Sequence, residues 1–154
     1  MLAHAPWAGT TWLAGATVLD MFAGTGAMGL EALSRGAASA EFYETDPAAW
    51  QALARNITAC GAGGMAIARR DALTPARGTA AALVFLDPPY FQDLVAQCVM
   101  ALGRAGRLTP ATILVSETAR EEAPLAGECL AERVHGAGRV RFMKAGAMAG
   151  VGST

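Results

Sequence analysis

Two short stretches concentrate residue types that do chemistry. The first is Asp87-Pro88-Pro89-Tyr90. It follows the apolar run Leu83–Leu86, which reads as a buried strand. A strand that ends on a carboxylate, two rigid residues and an aromatic ring presents two fixed acceptors, the Asp87 carboxylate and the Pro88 carbonyl. Proline fixes φ, so such acceptors need little reordering. They suit the two hydrogens of a planar aromatic amine, whose lone pair must be turned out of the ring before it can attack an electrophile. Tyr90, beside Phe91, supplies a flat surface for a base that is unpaired or turned out of its helix. A plain Pro-Pro turn with an aromatic plug is the competing explanation.

The second stretch is Gly24-Thr25-Gly26-Ala27-Met28-Gly29. It fits G-x-G-x-x-G between the strand "ATVLD" (Ala16–Asp20) and a helical pattern that stops at Gly36. Such a loop lets backbone approach a nucleoside cofactor closely. Glu44 lies 24 residues beyond Asp20, close to the usual offset of a ribose-binding acid. Both NAD and S-adenosylmethionine satisfy that pattern. Asp20 separates them, because a carboxylate beside the loop would repel a pyrophosphate and suit an ammonium and a sulfonium. Asp71-Ala72, after a third strand, would meet an adenine. A loop or helix-cap role for Asp71 is the alternative.

These residues need a scaffold, and the order of elements supplies one. Strands are expected at Ala16–Asp20, Ala40–Thr45, Met65–Arg70, Leu83–Leu86 and in "ATILVSE". Helical patterns lie between them, including "PAAWQALARNITACG" with Pro47 in its first turn and "FQDLVAQCVMALGRAG". Two strands then follow in succession, Cys129–His135 and Arg139–Ala145, joined by the turn "GAG". Apolar strands alternating with helices imply a doubly wound α/β fold. Its sheet would be seven-stranded and mostly parallel, with a C-terminal antiparallel hairpin at one edge. Ligands of such sheets sit beyond the carboxyl ends of the strands, where Asp20, Glu44, Asp71 and Asp87 all fall.

The chain has 154 residues, 53% of them hydrophobic and 16% charged, which suits one domain with a substantial core and excludes a disordered chain. Residues 146–154 are expected to be a flexible tail. No run is long and apolar enough to span a bilayer, and "MLAHAPWAGTTW" lacks the form of a signal peptide, so a cytoplasmic location and no membrane partner are expected. Cys60, Cys98 and Cys129 form no CxxC pair, and only His4 and His135 could assist them. Buried free thiols and no metal are therefore expected. The formal net charge of −1 gives no global signature of a nucleic-acid binder, although a local patch would suffice. Eleven of the twelve basic residues are arginine. A monomer is the default expectation.

"LDMFAGTGAMGLEALSRGA", "FYETDPAA", "RRDAL" and "LVFLDPPYF" together resemble the bacterial small-subunit ribosomal RNA guanine-N2 methyltransferases of the RsmD type. The resemblance runs from about Val18 to Phe142. It implies a Rossmann-like class I methyltransferase using S-adenosylmethionine to methylate the N2 amine of a guanine in 16S rRNA, free or in the assembling small subunit. It also implies that Asp20, Phe22, Gly24, Gly26 and Glu44 hold the cofactor, with Asp87 to Tyr90 reading the amine. The full candidate cofactor set adds Ala23, Thr25, Gly29, Thr45, Asp71 and Ala72. Family members carry a basic segment with an "R-P-T-…-R-E-x-x-F" pattern before the first strand, expected to help dock RNA. This chain starts where that segment would end. Arg35, Arg139, Arg141 and Lys144 are then the candidate RNA contacts. Three other functions share parts of the pattern: an adenine-N6 or cytosine-N4 methyltransferase, an NAD-binding oxidoreductase, and an inactive nucleotide-binding module. An oxidoreductase would want a catalytic His, Lys or Tyr at the rim, whereas His135 falls in a terminal strand.

Overall fold

The computed structural model describes residues 12–150. Its elements are β1 (Thr17–Asp20), α1 (Ala27–Ser34), β2 (Ser39–Tyr43), α2 (Pro47–Ala59), β3 (Ala66–Arg69), β4 (Leu83–Leu86), α3 (Leu94–Arg104), β5 (Ile113–Ala119), β6 (Cys129–His135) and β7 (Gly138–Lys144). A 3-10 helix follows at Gly146–Gly150. The strands form one seven-stranded sheet in the order β3-β2-β1-β4-β5-β7-β6. Pairs β1–β2, β2–β3, β1–β4 and β4–β5 are parallel, while β7 runs antiparallel to both β5 and β6. The hairpin forms the edge beyond β5 as expected, joined through its second strand β7, with β6 outermost.

Both faces of the sheet are covered, which is why its central strands read as unbroken apolar runs. Val18, Phe42, Leu83, Phe85 and Val115 pack with Ala32 and Leu33 of α1 and Leu53 of α2. Their sequence neighbours Leu19, Tyr43, Val84, Leu86 and Leu114 point the other way, onto Val95, Cys98, Val99 and Leu102 of α3. The chain winds outward from β1 through β2 to β3, then returns to β4 on the other side of β1. The switch point therefore lies between β1 and β4, where a ligand crevice belongs.

Local rules explain the helix ends. Asp46 caps α2 by accepting a hydrogen bond from the Ala49 amide at 2.8 Å, and Pro47 occupies the first turn. Helix α3 begins at Leu94 rather than Phe91. Phe91 and Asp93 both have positive φ, 62° and 52°, so the chain turns twice through the left-handed region before the helix can start. Two further expectations change. Residues 146–150, read as part of a loose tail, form the 3-10 helix, and Met148 and Ala149 pack against the core; residues 151–154 lie outside the described residues. Of the cysteines only Cys98 is buried. Cys60 caps the C-terminus of α2 and Cys129 opens strand β6, and both are exposed. His4 lies outside the described residues. Among the described residues no helix is long and apolar enough to cross a membrane, and no group of three or more metal-binding side chains occurs.

Candidate active site

Two cavities flank the Asp87-Pro88-Pro89 corner at the carboxyl ends of the strands. One, of about 660 Å³, is lined by Phe22 and Gly24 after β1, by Glu44, Thr45 and Asp46 after β2, and by Arg70, Asp71 and Ala72 after β3. Asp87, Pro88 and Pro89 after β4 close its side. The other, of about 500 Å³, lies beyond the prolines and is lined by Phe91, Asp93, Ser116, Thr118, Glu122 and Arg141 among others. Pro88, Pro89 and Leu94 line both. Asp87 faces the first cavity only.

The glycine loop divides its labour. Gly24 has φ +56°, and a Cβ built on it would meet nothing within 4 Å, so its surface is open to a ligand. Gly26 and Gly29 do not line the cavity; they allow close packing. A Cβ on Gly26 would lie 2.5 Å from Leu53 Cδ1, and one on Gly29 would lie 2.4 Å from Phe42 Cε1. The third glycine of such a fingerprint is the one that lets the helix settle on its strand. Neither Ala23 nor Thr25 lines the cavity, but both pin the loop. The Ala23 amide donates to the Tyr43 carbonyl at 2.9 Å, and Asn56 Nδ2 donates to the Thr25 carbonyl at 2.9 Å.

Asp20 departs from its expected place. It does not line the cavity. It is 4% exposed, and its Oδ2 accepts a hydrogen bond from the Gly29 amide at 3.0 Å. Its carboxylate thus holds the first turn of α1. Burial pushes its pKa up to about 7; the Gly29 amide opposes that rise, while the charges of Asp87 and Glu44 add to it. Glu44 is bonded on both sides: Oε1 accepts from the Gly24 amide at 2.7 Å and Oε2 from the Asp46 amide at 2.8 Å. It therefore fixes the loop from across the cavity while facing into it. Asp71 closes an Asx turn by accepting from the Leu73 amide at 2.9 Å, so the loop role and the cavity role coincide in one residue.

At the corner, burial and then the nearby Glu117 charge push the Asp87 carboxyl up to about 6. Tyr90 is 37% exposed, and its hydroxyl donates to Glu117 Oε1 at 3.0 Å. That bond is the first cause of the raised phenol pKa. Phe91 is 69% exposed and meets the Tyr90 ring edge-on, with centroids 6.4 Å apart. The Phe91 amide donates to Glu122 Oε1. The corner is thus tied to β5 and to the segment after it.

Two contributors escaped the sequence reading. Arg107 is 1% exposed and donates to Glu41 Oε2 at 2.9 Å and to the carbonyls of Thr79 and Ala76, each at 2.8 Å. Burial raises the pKa of Glu41, but Arg107 and Arg69 more than offset this and hold its carboxyl below the ordinary range. Tyr43 extends the network by accepting from the Ala76 amide at 3.1 Å. Together they clamp the segment after β3 that carries Asp71 and Ala72. Glu117 is the second, a further acid at the rim. The basic residues named as RNA contacts are engaged within the chain. Arg35 pairs with Glu31 at 3.0 Å, Arg139 donates to the Glu122 carbonyl, Arg141 donates to the Leu125 carbonyl at 2.9 Å and pairs with Glu132, and Lys144 pairs with Glu128 at 3.7 Å.

The sheet order, the switch-point crevice and the glycine loop define a Rossmann-like class I methyltransferase fold. Solved structures agree: the Escherichia coli protein yhhF is 34% identical, with a TM-score of 0.77 over 86% of this chain and 77% of that one. An RNA methyltransferase from Salinibacter ruber, solved with S-adenosyl-L-homocysteine, is 19% identical, with a TM-score of 0.64 over 87% and 84%, and supports the fold alone. The family described as "Conserved hypothetical protein 95" matches residues 3–144, and the chain belongs to this RsmD-type family. The Ribosomal RNA small subunit methyltransferase D of Escherichia coli strain K12 is 37% identical over 113 residues, covering 70% of this chain and 57% of that protein. The chain thus spans less than two thirds of the length of that relative.

Proposed function

We propose that the protein transfers a methyl group from S-adenosylmethionine to the exocyclic N2 amine of a guanine in small-subunit ribosomal RNA. One observation carries the reading: a rigid carboxylate-proline corner separates two cavities, one walled by a glycine loop and acids, the other lined by the exposed Phe91. The first cavity suits the methyl donor. Gly24 leaves room for close approach, Glu44 faces in as a hydroxyl acceptor, and Asp71-Ala72 lies where an adenine edge would be read. The acids Glu44, Asp71 and Asp87, with Asp20 behind the wall, favour a ligand carrying positive charge over a pyrophosphate. The donor, when bound, supplies an electrophilic methyl group on a sulfonium.

The remaining work falls to the chain. Asp87 and the Pro88 carbonyl accept the two amine hydrogens and free the nitrogen lone pair for in-line attack. The prolines keep these acceptors preorganised, so most of the rate comes from positioning. Tyr90 offers a face to the target base. The amine proton leaves to solvent after transfer, and no general base is required. The relatives named Ribosomal RNA small subunit methyltransferase D support this reading.

The test is methyl transfer to small ribosomal subunits lacking the mark, comparing the wild-type protein with Asp87→Ala. Calorimetry should find S-adenosylmethionine bound by both proteins and NAD by neither. Activity of the variant should fall by roughly a hundredfold or more. Methylation persisting near the wild-type rate would remove Asp87 as the amine acceptor.

A further inference from the structure

Strand β5 brings to the corner a residue with no role so far. Leu86 and Ser116 are the last paired positions of β4 and β5, and the next residue of each strand is Asp87 and Glu117. Phe85 and Val115 lie on the same face of the sheet, so continuing the alternation puts both carboxylates on one face. The influence of Glu117 on Asp87 accords with that closeness. Glu117 also holds the hydroxyl of Tyr90 at 3.0 Å.

The opposite strand makes room for this contact. A Cβ on Gly138 would lie 2.7 Å from the Tyr90 hydroxyl and 3.3 Å from Glu117 Oε1. Gly138 is not among the glycines with positive φ, so its backbone does not demand glycine. Gly138 thus packs directly against the polar ends of Tyr90 and Glu117, where a larger residue would press on the pair.

We propose that Glu117 is a specificity-determining residue whose carboxylate accepts the ring N1–H of the target guanine while Asp87 and Pro88 hold its N2 amine. The inference rests on the amine-methylation reading above and adds the identity of the base. Guanine presents N1–H and the N2 amine as adjacent donors. Adenine and cytosine carry an unprotonated ring nitrogen beside their amine, and a carboxylate there would face a lone pair. One Glu117 oxygen accepts the Tyr90 hydroxyl, and the carboxylate has a second. The same residue that steadies the stacking ring would thus read the base edge beside it.

The test uses small-subunit RNA assembled by splint ligation, with guanine or 2,6-diaminopurine at the position the wild-type protein methylates. Diaminopurine keeps the N2 amine but has no N1–H. Wild-type kcat/KM should favour guanine by at least about tenfold. In Glu117→Gln the amide still accepts the Tyr90 hydroxyl but can also donate to an unprotonated N1, so the preference should shrink to within about threefold. Bound S-adenosyl-L-homocysteine and an unchanged melting temperature would show that the variant is folded. A residue that only holds Tyr90 would leave the preference unaltered in Glu117→Gln, and that result overturns the proposal. Equal wild-type rates on the two RNAs overturn it without the variant. Failure of the wild-type protein to methylate the guanine RNA at all would instead refute the underlying function.

Discussion

The buried acid behind the glycine loop makes the stability of the protein depend on pH in an unusual direction. Asp20 rises from an ordinary 3.8 to about 7 because burial disfavours its charge. A carboxyl with a raised folded-state pKa contributes fully below its unfolded pKa, and the contribution is lost as pH climbs through the folded value. The difference corresponds to about 4 kcal/mol in total, of which roughly 3 kcal/mol is lost between pH 5 and pH 8. For a chain of this size that is a fall of roughly 6–12 °C in melting temperature. Asp20→Asn removes the charge while its side-chain oxygen still accepts from the Gly29 amide. The variant should keep only a smaller decline over that range, about 1 kcal/mol from the raised Asp87 carboxyl, and exceed the wild type at pH 8.

The same substitution should weaken the proposed donor. With a sulfonium in the neighbouring cavity the Asp20 carboxylate regains a partner, so the wild-type protein should bind S-adenosylmethionine more tightly as pH rises from 6 to 8. Asp20→Asn should lose that rise. S-adenosyl-L-homocysteine, which keeps the ammonium but has no sulfonium charge, should respond less to the substitution. Thermal unfolding from pH 5 to 8.5, with each ligand and with neither, measures all of this in one series. A wild-type melting curve flat across that range, or an Asn variant that follows the wild type, would refute the assignment of the pH dependence to Asp20.

Three further substitutions probe the scaffold around the site. Gly26→Ala places a Cβ 2.5 Å from buried Leu53 at a φ of +86°; clash and backbone strain act together, and chemical denaturation should report a loss of about 2–4 kcal/mol. Arg107→Met takes from Glu41 its closest cation, leaving Arg69 at 3.5 Å, and strips two loop carbonyls of their donor. A loss of about 3–5 kcal/mol is expected, with faster amide exchange over residues 71–80. Tyr90→Ala should raise KM for RNA more than Tyr90→Phe, which keeps the ring and loses only the bond to Glu117; equal losses would remove the stacking role.

Much of this architecture was legible because the sheet is covered on both faces. The apolar runs at β1, β4 and β5 could only be buried strands, and Gly36, Pro47 and Gly61 marked helix limits through their backbone preferences. The rim acids Glu44, Asp71 and Asp87 were legible because each falls at or just past the end of a strand. The role of Asp20 was not. Its type and position announced a carboxylate beside a loop, but whether that carboxylate faces the cavity or the helix depends on side-chain direction at the last residue of β1. Glu117 was hidden for a related reason. It sits inside the run "ILVSETA", and only the register with β4 sets it beside Asp87. Arg107 looked like one arginine among eleven; its burial depends on Glu41, 66 residues away in sequence.

These misses share a physical origin, and it bears on how the site works. Burial first, and then the charge of a carboxylate on the adjacent strand, raises the pKa of Asp20 and of Asp87. A row of such groups is poorly stable as anions in the empty protein. A cation on one side of the corner and an amine hydrogen on the other would each relieve it. The energy withheld from the fold therefore becomes binding energy for the donor and the acceptor, delivered at the boundary between their cavities. On this reasoning the two ligands should bind with positive coupling, carried by Asp87, which faces the donor cavity beside the prolines that line both. Measuring the affinity of the substrate RNA with and without a stable, positively charged donor analogue checks this. The coupling should vanish in Asp87→Ala while each ligand still binds alone, and coupling that survives the substitution would place its origin elsewhere.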